Sequence, residues 1–231
     1  MNSIPSFTNT LVIDINSLFK ENHTVALKYL NKVRLMKYTA RGENPYNLRK
    51  KLDSLLSEIE GGGLTRPSII EKWLTGQSSS TDSLTLVKGY IDQKRLVRKN
   101  STTLGLLMDI AKLTFTPDIL VQVLIVNNTL IRWLLELKKA GNITCIYLSG
   151  NMDKMTFSLL ANIHRDVFSI FDGTYMSFED SLLKPKREFY DRMSSKLNFN
   201  PFKTCFIEEN QSDANVLSSY GFAVVLNKFT G

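Results

Sequence analysis

Three apolar runs in this sequence end at side chains able to do chemistry. Thr10–Ile15 (TLVIDI) delivers Asp14, Ile143–Leu148 (ITCIYL) delivers Ser149, and Thr204–Ile207 (TCFI) delivers the pair Glu208-Glu209. A carboxylate in such a place can act as a nucleophile or bind a metal, and it can also do no more than turn or cap the chain. A serine there can hold an anion, or can cap the helix that follows.

These residues need elements that bring them together, and the surrounding pattern supplies them. The runs are short, apolar and rich in β-branched residues, as strands buried in a parallel sheet are. Val167–Phe171 and Ala223–Leu226 read as two further strands. Helical stretches separate them. One runs from Asn127 or Asn128 to Lys138-Lys139-Ala140-Gly141, with a cationic last turn and a glycine stop, and others run from about Asp153, Lys186 and Ser212. Strands alternating with helices predict an α/β domain, a Rossmann-like parallel sheet flanked by helices. In such sheets ligands bind beyond the carboxyl ends of the strands, where Asp14, Ser149 and Glu208-Glu209 would share one rim.

Between Phe19 and Phe115 the pattern is helical and more polar, broken at Gly61-Gly62-Gly63 and at Gln77–Ser83. The expected organisation is therefore a core of residues 1–19 and 116–231, interrupted by a helical insertion of residues 20–115. The stretch Lys94–Lys99 and the run Arg49-Lys50-Lys51 read most simply as solvated basic faces, the alternative being a grip on a phosphorylated substrate. Neither has the aromatic interleaving of a single-strand nucleic-acid platform. Trp73, Phe115 and Trp133 read as core.

The chain has 231 residues, 43% of them hydrophobic, with a formal net charge of +7. Its mean hydropathy is -0.10 and its pI about 9.3. That charge suits an acidic partner such as a phosphorylated molecule, nucleic acid or an anionic membrane, and is also common in soluble proteins without one. The two cysteines, Cys145 and Cys205, lie inside apolar runs and read as strand core, which argues against a disulfide framework and for a reducing, cytoplasmic compartment. The N-terminus lacks a basic start followed by an apolar run, and the most apolar stretch, Ile119–Val126, is too short to span a bilayer. Delivery to another compartment stays open.

Taken in order, four segments resemble the haloacid dehalogenase superfamily: Val12-Ile13-Asp14-Ile15-Asn16, Leu148-Ser149-Gly150-Asn151, Leu183-Lys184-Pro185-Lys186 and Phe206-Ile207-Glu208-Glu209-Asn210. The resemblance covers about residues 10–19 and 127–227, and the insertion after the first strand matches the family's helical cap in position. It implies a Mg²⁺-dependent phosphate-monoester hydrolase. Asp14 would attack phosphorus to form an aspartyl-phosphate, Ser149, Gly150 and Lys184 would bind the phosphoryl group, and Mg²⁺ would lie between Asp14, the backbone carbonyl of Asn16 and Glu208 or Glu209. The substrate would be a phosphorylated small molecule or a phosphoprotein.

The chain departs from the family pattern in two ways. Asn16 stands where the phosphatases carry a second Asp that protonates the leaving group, and an amide cannot do that work; help worth roughly 10²–10⁴-fold is then missing. Glu208 and Glu209 replace aspartates and are one methylene longer. A catalytically inactive module that binds a phosphorylated ligand or a protein is the alternative that Asn16 favours. The superfamily's dehalogenases, which use no metal and attack carbon, also lack the second Asp. Asn151 and Asn210 read as turn formers before ligands, and both roles stay open.

Overall fold

A computed structural model describes residues 4–60, 68–97 and 102–227. The expected glycine break at 61–63 and the Arg98-Lys99 end of the basic stretch lie outside the described residues. The chain divides into two compact units, one of Met1–Lys20 with Ile125–Gly231 and the other of Glu21–Leu124.

In the first unit, β1 (Thr10–Asp14) leads into the short helix α1 (Ile15–Leu18) and strand β2 (Phe19–Glu21). After the second unit the chain continues as β3 (Leu124–Val126), which pairs with β2. The helix Asn128–Ala140, β4 (Cys145–Gly150), the helices Lys154–Ile163 and Arg165–Phe168, and β5 (Gly173–Met176) follow. The helices Ser177–Asp180 and Arg187–Leu197, β6 (Thr204–Glu208), the helix Gln211–Ser219 and β7 (Ala223–Leu226) complete the order. Five of these strands form one parallel sheet in the order β5-β4-β1-β6-β7.

The architecture is thus the Rossmann-like one that the strand pattern predicts. Alternate residues of the central strands face opposite sides of the sheet. Val12, Tyr147 and Phe206 lie in register and pack with Phe189, Tyr190 and Met193 of the helix Arg187–Leu197. Their neighbours Leu11, Ile13, Leu148 and Ile207 are equally buried and face the other side. Both faces are therefore covered, which explains why these strands are continuous apolar runs. The order reverses at β1: the chain goes from β1 outward through β4 and β5, then returns to the other side for β6 and β7. That switch point is where open α/β sheets leave a crevice, and Asp14 ends the strand at its centre.

Local signals placed the helix ends well. The Asn127 side chain accepts from Leu130 N–H at 3.1 Å. Gly141 closes the same helix in the left-handed region at φ 75°, a conformation that favours glycine.

Two expectations need correction. Val167–Phe171 is not a strand: Arg165–Phe168 is a helical turn, and the strand begins later, at Gly173. Phe168 instead stacks on Phe19 at 5.9 Å and meets Phe157 edge-on at 5.5 Å, so part of its apolar surface is covered without a sheet. Nor is Gln77–Ser83 a loop throughout, because a helix starts at Ser80. The Ser79 hydroxyl accepts from Asp82 N–H at 3.0 Å and donates back to the Asp82 carboxylate at 2.6 Å, so part of the serine run is a helix cap.

The second unit is helical between its ends. Its segments include Lys32–Thr39, Leu48–Glu60, Ser68–Leu74, Ser80–Val97, Thr102–Phe115 and Pro117–Val123. Thr102–Phe115 is the segment the others gather on, and it buries Leu104, Leu106, Leu107 and Phe115. Trp73 meets Phe115 edge-on at 5.0 Å, as core aromatics do. Pro117–Val123 packs on Thr102–Phe115, so the insertion extends to Leu124. Among the described residues no helix is long and apolar enough to cross a membrane.

Candidate functional site

The site is built at the rim of the first unit, where Asp14 lies in register with Ser149 and β6 ends in Glu208. The Asp14 side chain caps α1, one oxygen accepting from the Asn16 N–H at 2.6 Å. Its other oxygen accepts from the Lys184 ammonium. The same ammonium reaches both oxygens of Glu208, at 2.7 and 2.8 Å. Asp14, Lys184 and Glu208 are 4%, 2% and 1% exposed. An ammonium has three N–H donors, and three carboxylate oxygens surround this one.

Two buried carboxylates therefore share one cation, leaving the group one positive charge short when both are ionised. Burial works against the charge on Lys184, but Asp14 and Glu208 outweigh it and hold the ammonium above the ordinary lysine range. Lys184 is a fixed cation and no proton donor. The imbalance falls on Glu208. Burial and the Asp14 carboxylate push its carboxyl up to about 8, against the opposing pull of Lys184.

This has a measurable sign. Folded Glu208 keeps a proton that the unfolded chain has lost once pH exceeds the ordinary value of 4.5. Its contribution to stability is full below that value and is lost as pH rises to about 8. Urea denaturation from pH 5 to pH 9 should show native stability falling more steeply than that of Glu208→Gln. Parallel slopes would show that Glu208 ionises in the folded protein as it does in the unfolded chain.

The residues following β4 set the spacing. Ser149 does not cap the next helix; Asp153 does, accepting from Met155 and Thr156 N–H at 3.1 Å each. The Ser149 hydroxyl is buried beside Asp14 with no protein partner. An unpartnered buried hydroxyl is uncommon and suits a ligand oxygen. Gly150 allows the turn after Asp14 to come close, since a Cβ here would stand 2.5 Å from Cγ2 of the fully buried Ile15. Gly150→Ala should therefore cost roughly 1–3 kcal/mol, read as a lower melting temperature; an unchanged one would show that Ile15 gives way easily.

The sequence-derived residues are thus gathered unevenly. Asp14, Ser149, Gly150, Lys184 and Glu208 converge. Glu209 is exposed and stands outside the buried group, and the Asn16 residue is exposed while its amide holds Asp14. Asn210 is a turn former, accepting from Ser212 N–H at 2.7 Å. Sequence reasoning gave no role to Tyr190, whose buried hydroxyl has no protein partner and whose pKa is raised by burial, against the pull of Lys184. It also missed what Asn151 does: its side chain holds both backbone polar groups of Lys184.

Among the described residues no three His, Cys, Asp or Glu side chains form a metal cage. The donors present still fit Mg²⁺, which is usually held by one or two carboxylates completed by water and substrate phosphate. Asp14 and Glu208 supply two buried carboxylates, and the raised Glu208 pKa marks the shortage of positive charge that a cation would relieve.

No protein-family model and no curated protein matches the sequence. Solved structures do. A HAD family enzyme from Bacteroides thetaiotaomicron superposes with a TM-score of 0.60 at 15% identity, covering 95% of this chain and 93% of that chain. The same enzyme in complex with magnesium and inorganic phosphate gives 0.56 at 16% identity, with the same coverage of 95% and 93%. L-2-haloacid dehalogenase from Xanthobacter autotrophicus gives 0.54 at 16% identity, covering 94% of this chain and 76% of that one. What four short motifs implied extends along nearly the whole chain: its fold is that of the haloacid dehalogenase superfamily.

Proposed function

We propose that this chain is a hydrolase of phosphate monoesters in which Asp14 is the nucleophile. The observation that carries this reading is the buried ammonium of Lys184 bridging Asp14 and Glu208 beside the unpartnered Ser149 hydroxyl. It offers one anion to attack and a cation and a hydroxyl to receive phosphoryl oxygens.

Asp14 is oriented by the Asn16 amide and Lys184. Its attack forms an acyl-phosphate bond and breaks the ester P–O bond, and water then hydrolyses the acyl-phosphate. Ser149 donates to a phosphoryl oxygen. Lys184, held by both oxygens of Glu208, supplies the positive charge that receives a second phosphoryl oxygen. Mg²⁺, held by Asp14, the Asn16 backbone carbonyl and Glu208, would neutralise charge on the transferred group when bound. Asn16 leaves the departing alkoxide to take its proton from solvent, so turnover is slow. The substrate is a phosphorylated small molecule or a phosphoprotein.

A second reading, a non-catalytic module binding a phosphorylated ligand or a protein, is favoured by Asn16 alone. Hydrolysis of p-nitrophenyl phosphate with and without Mg²⁺, by the native protein and by Asn16→Asp, separates the two. A hydrolase should show metal-stimulated turnover that rises by roughly 10²-fold or more in Asn16→Asp. No turnover in either protein would establish the binding module.

A further inference from the structure

We propose that Asn151 is a positioning residue for Lys184, fixing the distance between this lysine and the nucleophile; the inference rests on the phosphate-hydrolase reading above. Asn151 Oδ1 accepts from Lys184 N–H at 2.9 Å, and Asn151 Nδ2 donates to the Lys184 carbonyl at 3.1 Å. One side-chain amide therefore satisfies both backbone groups of a residue far along the chain.

The neighbouring contacts show why this tie matters. Lys184 lies on a turn between the helices Ser177–Asp180 and Arg187–Leu197, outside the sheet. No strand ladder holds its backbone. The turn is closed by Lys186 N–H on the Leu183 carbonyl at 3.0 Å, and the Tyr220 hydroxyl donates to the Pro185 carbonyl at 3.2 Å. Neither bond links Lys184 to the strand carrying the nucleophile. Asn151 makes that link, because it follows Gly150, and β4 lies in register with β1 from Thr10 to Asp14. The same short stretch thus locates both reacting partners. Ser149 pairs in register with Asp14, Gly150 admits Ile15, and Asn151 grips Lys184. A long, four-carbon side chain reaches two carboxylates at once only if its backbone is held.

Asn151 itself has no hydrogen bond to Asp14 or Glu208, so its effect passes through Lys184. Two measurements on Asn151→Ala, made on the full chain in Mg²⁺ buffer, test this. The first is affinity for inorganic phosphate by titration calorimetry. The second is backbone amide hydrogen exchange of Lys184 compared with Ile146 and Leu148 in β4. The expected result is phosphate affinity weakened about tenfold, the loss of two ordinary hydrogen bonds, with faster exchange at Lys184 and unchanged exchange in the strand.

Exchange accelerated throughout β4 would make Asn151 a general stabiliser and overturn the inference. Weakened affinity with Lys184 exchange unchanged would make it a direct contact, which also overturns it. Faster exchange at Lys184 with phosphate affinity intact would show that the tie does not serve the site. Failure of the native protein to bind phosphate would overturn the functional reading first, and this inference with it.

Discussion

Asp14→Asn should abolish phosphate-ester turnover, by about 10³-fold or more, while leaving the fold nearly as stable as before. The first half follows from the nucleophile's role. The second follows from the charge count. The native site encloses two carboxylates around one ammonium, and the substitution leaves one of each. An amide offers a single acceptor, so one of the two bonds to Asn16 and Lys184 is lost, at a cost of about 1 kcal/mol. Against that, the anion that raises the Glu208 pKa is gone, and Glu208 keeps both contacts to Lys184. Turnover measured alongside thermal melting distinguishes this from simple unfolding. Activity persisting near the native level would show that Asp14 is not the nucleophile.

Lys184→Met should have the opposite character, a large loss of stability together with loss of phosphate binding. It is nearly isosteric along the stem but removes the one cation, leaving Asp14 and Glu208 buried and unpaired. Breaking a buried ion pair in this way costs roughly 3–5 kcal/mol. Because burial already pushes the Glu208 carboxyl up, and the opposing pull of Lys184 is gone in this variant, Glu208 can escape part of the cost by taking a proton. The destabilisation should therefore be smaller at pH 5 than at pH 9. Adding Glu208→Gln to Lys184→Met should recover part of it at the higher pH. Urea denaturation of the three proteins checks this, and a loss below about 1 kcal/mol would mean that water reaches the carboxylates after all.

Much of this site was legible in the sequence because strand ends are conspicuous where strands are buried on both faces. Thr10–Asp14 and Thr204–Glu208 are apolar runs that stop at an acid, and their parallel register does the rest. The strand Gly173–Met176 was not legible. It is short, begins with glycine, and follows a more apolar segment, Val167–Phe171, whose first residues complete a helical turn. Short apolar runs of that kind do not declare their period. Telling Glu208 from Glu209 was also out of reach. The two are neighbours of one type, and only the end of β6, with Glu208 buried and Glu209 exposed, separates them. The Asn151 tie was hidden for another reason: its partner lies far along the chain, and hydrogen bonds to a backbone leave no mark on residue type.

The paired strands β2 and β3 have a consequence for how such a chain can fold. Within the first unit Asn127 N–H bonds the Leu18 carbonyl at 2.8 Å, and within the second Asn22 N–H bonds the Val123 carbonyl at 2.7 Å. Each unit thus holds its own two chain crossings side by side. For the sheet, the whole of Glu21–Leu124 amounts to one closed loop, and the entropy of closing a loop grows only logarithmically with its length. A long interruption directly after the nucleophile strand therefore weighs little on the assembly of that strand with β4 and β6. The insertion can lengthen, shrink or change its helices while the distance from Asp14 to Lys184 stays the same.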